Sequence, residues 1–263
     1  MNIFSEAARR VKLNQPFAFT QIIESRGSTP RHSGQMLVTA EGETVGTIGG
    51  GMMERLVIEQ AVAAITEQKS RVFHGRMARN GSDAVGSDCG GAMTVYIDVH
   101  GMRPKLILLG AGHVNRAIAQ LAAPLEFDIH IADTYASSLN PDIFPPGCQL
   151  LLAESFTAAV AQLTIDADSF VIIATNHQDK ETLETLIERP VRFLGLLASR
   201  RKAQTFREQL RQAGCNEAAI QRLRAPIGFD IGAETPAEIA VSVMAEILQV
   251  KNQAAGGLMQ DQL

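Results

Sequence analysis

Residues 106–121 read LILLGAGHVNRAIAQL: an apolar strand, a glycine turn, then a segment with helical spacing. Gly110 permits a tight turn, and Gly112 lets a phosphate or pyrophosphate approach the backbone, where a helix N-terminus supplies free N–H groups and positive dipole. His113 lies inside the turn, where its ring can face a ligand or bond a nearby backbone group. Asn115 stands where the dinucleotide fingerprint has its third glycine. Asp133 closes the next apolar stretch about 20 residues on, where an acid that grips a ribose hydroxyl is expected. The pattern predicts a Rossmann core whose loop holds a dinucleotide, another ligand or none.

Beyond this motif, apolar strands alternate with helical segments: KLILLG (105–110), FDIHIAD (127–133), SFVIIAT (169–175) and VRFLGLL (191–197), each followed by one helix. Continuous apolar strands joined by helical crossovers predict a parallel sheet covered on both faces. Thr235-Pro236-Ala237-Glu238 signals a last helix, with a capping Thr, a Pro suited to the first turn and a Glu able to complete a capping box. Residues 251–263 carry no periodicity and are expected to form a flexible tail.

The texture changes at HGMRP (100–104), taken as a domain boundary. Upstream, residues 2–12 read as a short helix with Phe4, Ala7, Ala8 and Val11 on one face. Strands follow at 16–25, at QMLVT (35–39) and TVGTI (44–48) around an AEGE turn, and at RVFHGRM (71–77) and AMTVYIDV (92–99). A helix after Gly51 carries Met53, Leu56, Val57, Ala61, Ala64 and Ile65 on one side. The expectation is an α/β protein: a small N-terminal α+β domain (1–100), then a Rossmann-like parallel-sheet domain (104–250).

Composition narrows the function classes. A net charge of −4 and a pI near 5.9 leave no basic field for nucleic acid or anionic lipid. The first fifteen residues contain no long apolar run, and no stretch approaches ~18 consecutive apolar residues, so neither a signal peptide nor a membrane span is expected. Cys89, Cys148 and Cys215 are odd in number, widely spaced and without a CxxC pair. That argues against a disulfide framework and a cysteine-built zinc site, and it fits a reducing cytoplasm.

Several upstream stretches could carry chemistry. In GTIGGGMME (46–54), Gly49, Gly50 and Gly51 precede a helix and Glu54 closes the motif. Bare backbone there suits an oxyanion or phosphate, or a tight packing turn. GSTPRHSG (27–34) presents Ser28, Arg31 and His32, and an arginine can grip phosphate with two parallel hydrogen bonds. Cys89 sits in GSDCGG (86–91) beside Gly90, among small polar neighbours. An accessible thiolate there could bond a soft metal or carry persulfide sulfur. Ser199-Arg200-Arg201-Lys202 opens a helix at a strand's C-terminal end, as a solvated face or an anion contact. Cys148 and Cys215 sit in ordinary turns.

Together, GSTPRHSGQMLV, GTIGGGMME and SDCGG resemble the N-terminal domain of the XdhC/CoxI family. GAGHV, LLASRRKAQTF and APIGFDIGAETPAEIAVSVMAEIL resemble that family's C-terminal Rossmann domain. Six motifs in order over about residues 20 to 250 are far more specific than any one of them. The resemblance implies a non-enzymatic accessory protein that binds molybdenum cofactor (molybdopterin), supports its sulfuration and inserts it into a xanthine-dehydrogenase-type molybdenum hydroxylase. It implies a cysteine desulfurase and a second copy of the chain as further partners. It also implies cofactor contacts at Ser28, Arg31, Gly49, Gly50, Gly51, Glu54, Cys89 and Gly90, with Gly110, Gly112, His113 and Asp133 on the Rossmann side and Cys89 meeting the metal.

Asn115, Thr134-Tyr135, TNHQD (175–179) and Ala198 depart from the family's usual pattern, all on the Rossmann ligand side. The cofactor is therefore expected in the N-terminal domain and the crevice between the domains. Two other readings remain open: an NAD(P)-dependent oxidoreductase using Gly110, Gly112 and Asp133, and a scaffold recruiting a sulfurtransferase. The lack of an evident hydride-transfer acid/base set favours the accessory reading over the first of these.

Overall fold

The computed structural model describes residues 2–76 and 90–262, which fall into two units, Met1–Met102 and Arg103–Leu263. The first unit runs through helix α1 (Ile3–Lys12), strands β1 (Phe17–Arg26), β2 (Gln35–Thr39) and β3 (Thr44–Thr47), helix α2 (Gly51–Glu67), and strands β4 (Arg71–Arg76) and β5 (Ala92–His100). The strands form an antiparallel sheet in the order β3-β2-β1-β5-β4. The spacing of Met53, Val57, Ala61, Ala64 and Ile65 puts them on one side of α2. They pack there against Ala18, Ile22, Val38, Val95 and Ile97 of the sheet, with Leu56 at the edge of the contact, partly buried.

Helix α1 departs from its expected apolar face. Phe4 and Val11 are exposed, whereas Glu6 is buried. Arg9 donates to its carboxylate at 2.7 and 2.8 Å and Arg10 at 2.9 Å. Hydrogen bonding from Arg9 outweighs the burial penalty and holds the Glu6 carboxyl down at about 2. A carboxylate paired this way can be buried where an unpaired one could not.

The second unit contains β6 (Lys105–Leu109), α3 (His113–Ala122), β7 (Asp128–Asp133), β8 (Gln149–Leu152), α4 (Phe156–Gln162), β9 (Phe170–Ile173), α5 (Asp179–Leu186), β10 (Phe193–Leu196), α6 (Arg200–Gln212), α7 (Glu217–Arg222), β11 (Leu223–Arg224) and α8 (Pro236–Lys251). All strand pairs are parallel, in the order β11-β10-β9-β6-β7-β8. That is the order of a doubly wound dinucleotide-binding sheet, and its direction reverses between β6 and β9. Side chains of α4 to α7 bury one face and those of α3 and α8 the other. The expected cap of α8 is present: Thr235 and Glu238 form a reciprocal capping box with Pro236 in the first turn.

Two strands were not anticipated. One helix alone was expected between β7 and β9, but short 3-10 turns, β8 and then α4 fill that interval, and the two-residue β11 extends the far edge. No helix among the described residues is long and apolar enough to cross a membrane.

Candidate functional site

Sheet register brings the first unit's motifs together. β1 pairs β5 with Arg26 opposite Ala92, so the chain leaving β1 at Gly27 runs beside the chain entering β5 at Gly91. A Cβ on Gly91 would lie 2.3 Å from the Ser28 carbonyl oxygen, and one on Gly27 would lie 3.2 Å from that of Gly90. On the other side, a Cβ on Gly49 would lie 2.8 Å from Pro30 Cβ. Only glycine allows backbones to approach this closely. The loop 27–31 is thus pressed between the glycine turn before α2 and the glycines before β5. Ser28, Arg31, Gly49 and Gly90 share one cluster; Cys89 falls outside the described residues.

Arg31 and Ser28 are exposed. The Arg31 side chain has no hydrogen-bond or ion-pair partner among the described residues. His32 is held instead, with Nδ1 2.9 Å from Ser25 Oγ and 3.4 Å from Thr29 Oγ1.

Glu54 has a role its sequence position does not announce. Its Oε2 accepts from Ile48 N at 3.0 Å, from Gly50 N at 2.9 Å and from the Thr47 hydroxyl. Burial would raise its pKa. The Thr47 hydroxyl and the Gly50, Ile48 and Gly49 N–H groups outweigh that and hold the carboxyl below its usual value. Some of the N–H groups that the glycine turn could have offered a ligand are therefore taken from inside. A Cβ on Gly50 or Gly51 would meet nothing within 4 Å among the described residues.

In the second unit, Gly110 adopts φ +98, and a Cβ there would lie 2.3 Å from the Ala174 carbonyl oxygen, so the turn after β6 and the end of β9 touch at the switch point. Gly112 caps α3 without a side-chain bond, and the space beyond it is open. His113 is exposed at the first helical position. This helix start offers unpaired N–H groups to an anion.

The two residues that would decide on a dinucleotide are engaged locally. Asp133 is buried; its Oδ2 accepts from Ala111 N at 2.7 Å and its Oδ1 from Tyr135 N at 2.9 Å. It braces the turn, and a ribose would have to share its oxygens. Asn115 is buried and donates Nδ2 to the carbonyls of Leu109 (3.2 Å) and Gly110 (2.6 Å), while its Oδ1 has no partner. It fills the space that the third glycine leaves for close helix–strand approach.

Beyond the basic helix start at 199–202, sequence reasoning nominated nothing from two further groupings at the C-terminal strand ends. Asp179 is buried and accepts from Lys202 Nζ at 2.6 Å, from Thr175 N at 2.9 Å and from the Thr175 hydroxyl at 2.6 Å. Burial would raise its pKa, but Lys202 and Thr175 overcome this and lower it. Residues 197–200 and 226–231 line an open pocket of about 430 Å³, with Arg200 bridged to Asp230 at 2.9 Å. Glu246 accepts from Gly228 N at 2.6 Å, and the Ser242 hydroxyl donates to the Phe229 carbonyl, tying the pocket wall to α8. The available signal was that both segments follow strand ends of a parallel sheet, the side where ligands gather. Among the described residues, no three His, Cys, Asp or Glu side chains gather as a metal site.

Comparison with known proteins agrees with this architecture. Residues 106–247 match the model of the XdhC Rossmann domain and residues 11–75 that of the XdhC and CoxI family. YqeB of Escherichia coli (strain K12) is 67% identical over 98% of this chain and 48% of its own length. A probable xanthine dehydrogenase subunit from Bacillus subtilis (strain 168) is 31% identical over 58% of this chain and 44% of its own. The molybdenum cofactor insertion chaperone PaoD of Escherichia coli (strain K12) is 27% identical over 57% of this chain and 42% of its own. The chain thus spans about half the length of the curated relatives it matches. A crystal structure of a Bacillus halodurans protein, named as a xanthine dehydrogenase, shares the fold with TM-score 0.51, 20% identity and 96% of each chain covered. With both domain models matched in order, the chain belongs to the XdhC and CoxI family.

Proposed function

We propose that this chain is an accessory protein that binds molybdenum cofactor, supports its sulfuration and hands it to a molybdenum hydroxylase of the xanthine dehydrogenase type. The observation that carries the reading is the convergence of loop 27–31 with Gly49 on one side and Gly90–Gly91 on the other, the loop's Arg31 side chain having no partner among the described residues. The described residues fit the anionic part of such a cofactor: Arg31 supplies a planar cation, and Gly50, Gly51 and Gly90 leave backbone uncovered. Cys89 follows as the thiophilic contact, adjoining this cluster in sequence. A cysteine desulfurase as sulfur donor and a homodimer as working form belong to the same proposal. The name of PaoD supports cofactor handling.

The test is to purify the chain from a molybdenum-replete host and identify any bound small molecule by mass spectrometry, alongside a strain lacking the gene. Molybdopterin in the first and a cofactor-poor or unsulfurated hydroxylase in the second are expected. A fully active hydroxylase in the deletion strain overturns the proposal.

A further inference from the structure

The Rossmann-like sheet carries a second cavity at the end opposite its glycine turn. Arg192 and Phe193 lie at the N-terminal end of β10, whereas residues 197–200 follow its C-terminal end. A cavity of about 360 Å³ opens there, with Ile187, Val191 and Ala219 among its apolar lining and Arg189, Arg192, Arg222 and Arg224 around it.

Four arginines line this concavity in a chain whose net charge is −4, so a generally basic composition does not explain them. Their neutralisation within the protein is incomplete. Arg192 lies 3.8 Å from Asp168, and Arg224 lies 3.4 Å from Glu246. Among the described residues, Arg222 reaches only the Ile187 carbonyl, at 3.3 Å. The Arg189 side chain has no hydrogen-bond or ion-pair partner among the described residues. Arginine keeps its charge at any ordinary pH, so the concavity presents fixed positive charge to an anion. The apolar wall and the volume, which falls in the range of small-molecule pockets, call for more than an inorganic ion.

We infer that this cavity binds a small organic phosphate of the nucleotide class, its apolar part against Val191 and its phosphates gripped by Arg189 and Arg222. The site is independent of the cofactor reading, because none of its residues belongs to the loops proposed there.

The experiment titrates the full chain with the four ribonucleoside triphosphates, inorganic pyrophosphate and hexaglutamate by calorimetry. The same titrations are run on Arg189→Ala/Arg222→Ala and on Arg71→Ala, a surface arginine of the first unit. At least one nucleotide should bind and raise the melting temperature. The double variant should weaken it about tenfold or more, the scale of losing charge-assisted hydrogen bonds, while Arg71→Ala leaves it unchanged. If the double variant melts early, Arg189→Glu alone carries the comparison, since that side chain supports no contact in the fold. Absence of nucleotide binding at about 1 mM, or binding unaffected by the variants, overturns the inference. So does pyrophosphate binding as tightly as nucleotide, or hexaglutamate binding more tightly, which would mark an acidic-peptide surface.

Discussion

Gly50 donates its N–H to Glu54 Oε2 at 2.9 Å, so the carboxylate of one motif residue fixes the backbone of another four positions earlier. Glu54→Ala would strip an acceptor from Gly50, Ile48 and Thr47 together, which should cost roughly 2 kcal/mol. Glu54→Gln keeps one acceptor oxygen and should lose less. Thermal melts of the two variants check the order; equal melting to the parent would mean the turn holds itself.

The same carboxyl predicts an acid response. Its folded pKa lies below the ordinary value of about 4.3. Its contribution is therefore complete above that value and is lost as pH falls toward the folded pKa. Glu6, held at about 2, acts in the same direction on α1. Melting temperature followed from pH 6 to pH 2 should fall less steeply in Glu54→Gln than in the parent.

Gly91→Ala isolates the approach of loop 27–31. Its Cβ would lie 2.3 Å from the Ser28 carbonyl oxygen, with no positive φ to add strain, so the loop itself must move. We expect the variant to fold and to lose most cofactor retention. The readout is ligand recovered per protein after purification; unchanged recovery would place the cofactor elsewhere.

Much of this was legible in sequence and some was not. β6, β7, β9 and β10 could be read because a strand buried on both faces must be continuously apolar. β8 is a four-residue edge strand behind Pro145-Pro146-Gly147-Cys148, and β11 has two residues, too short for any period to show. The individual glycine motifs could be read as well. Their meeting could not, because the approach of Gly91 to Ser28 depends on β1 pairing with β5 across more than sixty residues. Nor could the distant partners of Asp179 and Asp133, Lys202 and Ala111, which the sheet brings near and local spacing does not.

NAD(P) should bind weakly at best. Asn115 occupies the space of the third glycine, and Asp133 is spent on Ala111 and Tyr135. Asn115→Ala should destabilise by about 1–2 kcal/mol through two lost hydrogen bonds and still fail to create a dinucleotide site. Calorimetry giving a Kd near 1 μM for either form, unchanged by Arg189→Ala/Arg222→Ala, would revive a dehydrogenase.

Lys202→Met tests the clamp on Asp179. The carboxylate would stay buried with Thr175 as its remaining partner, and the half-exposed lysine limits the cost to roughly 2 kcal/mol. Because Lys202 helps hold the Asp179 pKa down, its removal should move acid unfolding to higher pH. An unchanged acid midpoint would show that Thr175 alone holds the carboxylate.

The last expectation concerns Cys89, which lies outside the described residues but directly precedes Gly90 of the loop cluster. It is the only one of the three cysteines inside a glycine-rich motif. Cys148 and Cys215 are half-buried, and burial raises the Cys148 thiol pKa, which disfavours the thiolate that bonds a metal or carries sulfur. Serine keeps the size and some polarity of cysteine but removes most of its capacity to bind a soft partner. Cys89→Ser should therefore fold with the parent's melting temperature, since such a change among small polar residues costs little. It should lose most cofactor retention and most activation of the partner hydroxylase, while Cys148→Ser and Cys215→Ser keep both. Ligand recovery and hydroxylase activity measured on the three variants side by side decide it: equal behaviour would leave the cofactor to Arg31 and the glycine backbone alone.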